Sequence, residues 1–222
     1  MDWKKSFLDK INLIVWDWNG TLINDVALSL DCMNELLDKY GLKRIGLKTY
    51  RRIFRFPVKD YYKDLGFDFS KTPFEQVGQE FIQLYNENFS KVTLQPGAEE
   101  VLRRLKDAGK KQVLISARNL TSLLEDVKSF GLEQYFDQII GLNNDLAHGK
   151  GDLVKQFFEQ NRVNPRQTLF IGDTTHDCEI ARSLGAHYFM VANGHHSADR
   201  LMLCTQFVYA NLLTLADFLF NA

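Results

Sequence analysis

The sequence predicts an α/β protein: a parallel β-sheet flanked by helices and interrupted after its first strand by an all-helical insertion. Three observations carry this expectation. From Gly97 onward, short apolar, β-branched runs alternate with amphipathic stretches of helical length, which is the pattern of βαβ units. The segment Asn24–Val92 breaks that alternation with helical patterns and no convincing strand. Finally, residues able to do chemistry stand directly behind the apolar runs, at the strand ends where an open parallel sheet binds its ligands.

Asn12–Trp16 is short, apolar and β-branched, and reads as a buried first strand. Asn24-Asp25 is expected to cap a long helix, Val26 to Tyr40, with Leu30, Met33, Leu36, Leu37 and Tyr40 on one face and Gly41 as its stop. Lys48–Phe54, Val58–Leu65 and Phe74–Phe89 are further helical candidates, separated by Gly46, Pro57, Gly66 and Pro73. After Pro96-Gly97 come a helix at Ala98–Ala108, a strand at Gln112–Ile115 and a helix at Leu120–Phe130. A short strand at Gln138–Ile140 and a helix at Gly151–Gln160 follow, then a strand at Thr168–Ile171 and a helix at Asp177–Leu184. His187–Val191 is a strand, Phe207–Tyr209 a further candidate, and Leu212–Phe220 a closing helix. The expected organisation is a core made of residues 1–23 and 93–222 and an inserted helical unit of residues 24–92. Removing the insertion leaves roughly 150 residues, a comfortable size for one α/β core.

Composition narrows the function classes. The 222 residues are 45% hydrophobic and 25% charged, which is globular and not disordered. With 27 Lys and Arg against 28 Asp and Glu, the net charge of −1 gives no global pull toward nucleic acid or an anionic membrane. The run Leu13–Trp16 is far too short to span a bilayer, and no apolar stretch of signal-peptide type follows the first residues. Cys32, Cys178 and Cys204 fit neither a zinc pattern nor a disulfide framework, so a reducing cytoplasm is the simplest address. The expected partner is a small molecule, with neither nucleic acid nor membrane.

The strand ends carry the chemistry. Asp17, Asn19 and Thr21 follow the first strand. Ser116, Ala117 and Arg118 follow Gln112–Ile115. Asp173, with Asp177 four residues on, follows Thr168–Ile171, and Lys150 opens the helix between them. A carboxylate can attack phosphorus to form an acyl phosphate. Mg²⁺ takes oxygen ligands, commonly one or two carboxylates beside phosphate oxygens and water. A hydroxyl and an ammonium can hold the oxygens of a transferring phosphoryl group. Each residue alone also has an ordinary role: Ser116 as a helix cap, Lys150 as a solvated lysine, Asp173 and Asp177 as first-turn acids. Their joint order, each behind a strand or at a helix start, points to one site.

In these residues the sequence resembles the haloacid dehalogenase superfamily of phosphohydrolases, and within it the phosphoglycolate phosphatase-like group. Asp17-Trp-Asn-Gly-Thr-Leu is similar to that family's first motif, Asp-x-Asp-Gly-Thr-Leu. Ser116, Lys150 and Gly172-Asp173-Thr-Thr-His-Asp177 resemble the second, third and fourth. The resemblance implies a Rossmann-like core with a helical cap inserted at Asn24–Val92, and a Mg²⁺-dependent phosphatase acting on a small phosphate ester. Asp17 would be the nucleophile. Asp17, the Asn19 carbonyl, Asp173 and, less directly, Asp177 would hold Mg²⁺. Ser116 and Lys150 would hold the phosphoryl oxygens, with Thr21, Ala117 and Arg118 beside them.

Asn19 departs from the family, which usually carries a second, proton-shuttling Asp there. An amide exchanges no proton at neutral pH, and general acid–base help is worth ~10²–10⁴-fold. The sequence therefore implies a weakened proton step that favours good leaving groups, and Asn19→Asp is expected to raise turnover. The alternative is a catalytically impaired phosphoryl-binding or regulatory protein. Lys43, Arg44, Lys48, Arg51, Arg52, Arg55 and Lys59 form a stretch without acidic residues. It reads either as a solvated helix face or as a basic lid, with Arg55 and Lys59 contacting an anionic substrate. His195-His196 is expected to be an exposed loop near the pocket rim, and His148 a loop residue. His176, inside the fourth motif, is placed where it could face the site.

Overall fold

A computed structural model describes residues 3–143 and 149–220; His148 lies outside them. The elements, in chain order, begin with α1 (Trp3–Lys10), β1 (Leu13–Trp16) and β2 (Ile23–Asn24). The insertion carries α2 (Val26–Lys39), α3 (Leu47–Ile53), α4 (Val58–Asp64) and α5 (Phe74–Asn88). After it come β3 (Thr93–Leu94), α6 (Ala98–Asp107), β4 (Lys111–Asn119), α7 (Leu120–Ser129) and β5 (Gln138–Leu142). The chain ends with α8 (Lys150–Gln160), β6 (Thr168–Gly172), α9 (Thr175–Leu184), β7 (His187–Val191), α10 (Ala198–Leu201), β8 (Val208–Tyr209) and α11 (Leu212–Phe220).

The main sheet has six parallel strands in the order β5-β4-β1-β6-β7-β8. β1 lies inside it, buried at every residue, as its unbroken apolar run requires. Register then decides what meets at the sheet edge. Trp16 pairs with Leu114 on one side and Ile171 on the other. The residues that follow each of these, among them Asp17, Ser116 and Asp173, therefore leave the sheet at the same edge.

The insertion is helical, as expected. Met33, Leu36 and Leu37 of α2 pack against Tyr50, Tyr61, Tyr62, Phe67, Phe74 and Val77 in a cluster of their own, with Leu30 and Tyr40 partly buried against it. The two chain crossings form a short antiparallel ribbon in which Ile23 pairs with Leu94 and Asn24 with Thr93. Two-residue strands leave no periodicity to read, so Asn24, expected to open a helical stretch, is in a strand.

Other departures have local causes. α1 was not expected; its Leu8 is buried in the main core. β4 runs on to Asn119 because an irregularity in its pairing with β5 lets the ladder resume at Leu142, so Ser116, Ala117 and Arg118 belong to the strand. Asn119, and not Ser116, caps α7, accepting from Thr121 N and Ser122 N. Asp25 occupies the N-cap position of α2 but makes no capping bond.

Beneath the sheet, Gln112 is a buried polar tie. Its Oε1 accepts from Trp16 Nε1 at 2.9 Å, and its Nε2 donates to the Leu102 and Tyr135 carbonyls at 2.9 and 3.2 Å. Gln112→Met keeps the bulk but orphans these buried groups, each worth about 1–3 kcal/mol. The expected result in urea unfolding is a destabilisation of roughly 2–4 kcal/mol.

Candidate active site

Asp17 and Lys150 define the floor of the site. The Lys150 ammonium contacts the Asp17 carboxylate and donates to Asp177 Oδ1 at 2.5 Å. Lys150 reaches this position from the first turn of α8 and is 8% exposed, so the expected solvated alternative is excluded. Burial opposes its charge, but the two carboxylates overcome that and raise its pKa. On the other side, Thr21 Oγ1 lies 3.0 Å from both Asp17 Oδ2 and Asp173 Oδ1. Its single proton serves one carboxylate at a time.

Asp173 is fully buried under two glycines. A Cβ on Gly20, whose φ is +74°, would lie 2.3 Å from Asp173 Oδ2, and one on Gly194 would lie 2.1 Å from it. Only glycine allows both backbones so close. The His195 amide uses this closeness, donating to Asp173 Oδ2 at 2.5 Å. Asp177 is held by Lys150 and by Thr174, whose Oγ1 donates at 2.6 Å. Burial works against its charge, yet these partners keep its pKa low.

One oxygen each from Asp17, Asp173 and Asp177 lies within 4.8 Å of the others. Three carboxylates facing one lysine leave the site short of positive charge. Burial lifts the Asp173 carboxyl to about 8, with Asp17 and Asp177 adding to the effect against the pull of His195. An all-oxygen donor set that retains a proton until a cation displaces it suits a hard divalent ion.

Asn19 is committed within the protein. Its Nδ2 donates to Asp25 Oδ2 at 2.9 Å and to the Tyr85 hydroxyl at 2.8 Å. Asp25 also accepts from the Gly20 amide at 2.7 Å and from Tyr85 at 2.9 Å, and it lies 3.3 Å from His195 Nε2. The other ring nitrogen of His195 is 2.7 Å from the Tyr50 hydroxyl. His195 and His196 are 5% and 1% exposed, so the expected exposed loop is overturned. Burial disfavours a charged His195, but Asp25, with Asp173 and Asp17 behind it, raises its pKa to about 9. His195 in turn lowers Asp25 to about 2 against the effect of burial. His196 is buried neutral, lowered to about 3 by burial and by Arg200. Its ring accepts from Thr175 N at 3.0 Å and lies 2.9 Å from the Phe54 carbonyl. Asp25, His195, Tyr50 and Tyr85 were not anticipated as site residues. The available signals were an acid behind Asn24 and histidines after a strand-ending glycine.

A cavity of about 200 Å³ lies between this floor and the helical insertion. Asp17, Asn19, Ser116, Ala117, Arg118, Lys150, His176 and Asp177 line it, together with Asp25 and His195. Ser116 is buried, and its Oγ accepts from Arg118 N at 3.1 Å. Arg118 itself is paired with Asp126, donates to Asn86 Oδ1 at 3.1 Å, and lies over the rings of Tyr85 and Phe89. His176 stacks on Phe56 with ring centroids 4.8 Å apart. Thr21 and Asp173 stand behind the lining.

Arg55 and Lys59 are not among the described lining residues. Arg55 pairs with Asp64 at 2.8 Å on the exposed surface, and Lys59 sits over Phe69 and Phe74 at 5.8 and 5.7 Å. Of the basic stretch, Arg51 reaches the core, donating to the Gly194 and Asn193 carbonyls at 2.9 Å each.

A strand-end carboxylate, a lysine and two further acids at the edge of a parallel sheet, roofed by an inserted helical unit, match a class of hydrolases. The family model for haloacid dehalogenase-like hydrolases matches residues 14–191, and the chain belongs to that family. It is 24% identical over 228 residues to a phosphoglycolate phosphatase of Psychrobacter arcticus, covering 97% of this chain and 98% of that one. It is also 24% identical over 196 residues to the pyrophosphatase PpaX of Halalkalibacterium halodurans, covering 86% and 87%. A haloacid dehalogenase-like hydrolase from Streptococcus pneumoniae superposes with a TM-score of 0.80 at 19% identity, over 95% of this chain and 99% of that one, a likeness of fold.

Two predictions follow from the charges. Asp173 keeps its proton below about 8, so a divalent cation held there would have to displace it. Mg²⁺ affinity measured by calorimetry is expected to rise about tenfold per pH unit from pH 5.5 to 7.5 and to level off above 8. The stability from the raised His195 is complete below the ordinary histidine pKa and is lost as pH climbs through about 9. That from the lowered Asp25 is complete above the ordinary carboxylate pKa and is lost as pH falls through about 2. Asp25→Asn leaves a buried imidazolium unpaired. In the metal-free variant, NMR titration is expected to show the ring deprotonating below its ordinary pKa, with a loss of about 3–5 kcal/mol in urea unfolding at pH 7.

Proposed function

We propose that this protein is a Mg²⁺-dependent phosphatase that removes phosphate from a small phosphate ester through an aspartyl-phosphate on Asp17. The observation that carries the reading is the convergence of Asp17, Lys150 and two further carboxylates on one cavity wall. The family membership and the names of the relatives support it. On this reading, residues 24–92 are the cap and residues 1–23 and 93–222 the catalytic core.

Asp17, the Asn19 carbonyl and Asp173 would hold Mg²⁺, with Asp177 acting through its hold on Lys150 and Thr174. Bound there, the ion supplies charge against the phosphoryl oxygens and lets a dianion approach an anionic nucleophile. Lys150 orients the Asp17 carboxylate and offers its ammonium to a phosphoryl oxygen. The Ser116 hydroxyl, with the Ala117 backbone beside it, faces the same space. Thr21 lies against Asp17 Oδ2 and Lys150 against Oδ1, so the attacking oxygen on this reading is the one the ammonium holds. Attack forms the Asp17–phosphorus bond as the ester oxygen departs, and water then attacks the acyl phosphate, releasing inorganic phosphate and restoring Asp17. Arg55 and Lys59 do not line the cavity and are engaged elsewhere, whereas Arg118 lines it while paired with Asp126. The cytoplasmic address rests on three free thiols, and among the described residues no helix is long and apolar enough to cross a membrane. A phosphoryl-binding protein without turnover has less support, because nucleophile, lysine and acidic set are all present.

Asn19 cannot protonate the departing oxygen. Its contacts also amend the simple expectation for Asn19→Asp, which would place a second carboxylate 2.9 Å from Asp25. The like charges would then compete for one imidazolium. Exchanging the two groups, in Asn19→Asp/Asp25→Asn, keeps one amide and one carboxylate in contact and returns an acid to position 19. In Mg²⁺-dependent hydrolysis of an alkyl phosphate, the double variant is expected to exceed the natural protein by about 10²-fold in kcat. The single variant should gain less and unfold at lower urea, and Asp17→Asn should abolish turnover. Mg²⁺-independent turnover, or full activity of Asp17→Asn, would refute the reading.

A further inference from the structure

The organic half of the substrate must fit the cap side of the cavity, and that wall is apolar. It is built from Met33, Phe54, Phe56, Val58, Phe81 and Ile82, with the rings of four tyrosines among them. Among the described residues, each basic side chain that lines the cavity has an acidic partner: Lys150 with Asp17 and Asp177, Arg118 with Asp126, His195 with Asp25, and His176 with Glu179 at 3.8 Å. A carboxylate on the leaving group would be buried there without a counter-charge, at a cost that apolar contact does not repay. One polar atom stands ready in this wall. Tyr61 is 1% exposed and lines the cavity, and its hydroxyl has no hydrogen-bond partner among the described residues.

Size and chemistry narrow the class further. An apolar cavity of about 150 Å³ accepts a benzene ring, and this cavity, with its polar floor included, is about 200 Å³. Flat rings also gain edge and face contacts with aromatic walls. A neutral Asn19 calls for a leaving group that departs without being protonated. A phenol, with a pKa of about 10, does so far more readily than an aliphatic alcohol.

We infer that the substrate is an aryl phosphate: a phosphate monoester of an uncharged single-ring phenol whose ring packs against the aromatic cap wall, with one polar substituent meeting the Tyr61 hydroxyl. The inference rests on the phosphatase reading above. In the step, the bond from phosphorus to the aryl oxygen breaks as the Asp17–phosphorus bond forms. The electron pair leaves on the phenoxide, which takes its proton from water.

The test compares phenyl phosphate, phosphoglycolate and pyrophosphate as substrates of the natural protein with Mg²⁺. Calorimetric binding of benzylphosphonate and phosphonoacetate, which cannot turn over by this route, runs beside it. The expected result is a kcat/KM for phenyl phosphate at least tenfold above that for phosphoglycolate or pyrophosphate, and tighter binding of benzylphosphonate by a similar factor. Val58→Arg, which adds a cation to the wall, should reverse both orders. Equal or reversed preferences in the natural protein overturn the aryl assignment and leave the phosphatase reading standing. Absence of turnover on all three compounds overturns the phosphatase reading, and the order of phosphonate binding then decides the ligand class by itself: benzylphosphonate bound no tighter than phosphonoacetate overturns it.

Discussion

Lys150 sits between Asp17 and Asp177, and the rest of the site depends on that ammonium. Three carboxylates converge where β1 and β6 end, in a place with little water to screen them. Burying charges is costly, and a buried pair is sustained only when its geometry and hydrogen bonds are good. Here the one Lys150 ammonium contacts both Asp17 and Asp177, while Asp173 is met by the Thr21 hydroxyl and the His195 amide. The sheet register makes this possible, since Trp16, Leu114 and Ile171 lie abreast and bring their successors to one edge. Gly20 and Gly194 then let two loops close over Asp173 without side chains in the way.

The loop after β7 connects that floor to the cap. The His195 backbone holds Asp173 while its ring lies between Asp25 and the cap's Tyr50. Next to it, Arg51 from α3 caps the Asn193 and Gly194 carbonyls, and Arg200 donates to the carbonyls of Arg52 and Phe54. These are directional, partly buried bonds between the insertion and the core, and they account for part of the basic stretch. Arg51 is used as a fastener, and Arg55 pairs on the surface. A run of like charges in a sequence gives no information about which member meets a carbonyl and which meets a carboxylate.

Much of this was legible in the residues. Alternating apolar and amphipathic runs located the sheet, and Asp17, Ser116, Lys150, Asp173 and Asp177 were named from their positions behind strands or at a helix start. All five meet. The reason is physical: in a parallel sheet each strand's next residue is delivered to a common edge, so chain order translates directly into proximity. Asp25 and His195 had no such rule. They lie 170 positions apart, as their numbers show, and their contact depends on how the insertion packs against the core. Asp25 even carried a competing signal, since an acid before an amphipathic run reads as a helix cap. The two-residue ribbon β2–β3 left no periodicity to detect. The apolar cap wall was visible only as ordinary helix stripes, because a residue facing a cavity and one facing a core are equally hydrophobic.

Asn19 and Asp25 are best understood as one unit. An amide at 19 can donate to a carboxylate at 25, and it does so at 2.9 Å. A carboxylate at 19 would face Asp25 with nothing to donate unless protonated. Asp25 also holds the Gly20 amide, within the loop that carries Asp17. The acid in this sequence therefore sits where it braces the loop that carries Asp17 and favours a charged His195. It lines the cavity, but its oxygens are taken up by Asn19, Gly20, Tyr85 and His195. The loop gains a fixed shape and gives up a mobile proton. On the proposed phosphatase reading, that exchange suits a substrate whose leaving group needs no proton, and the aromatic cavity wall offers space for such a group. Floor and roof thus impose compatible demands: one limits how the bond can break, the other limits what can be attached to it.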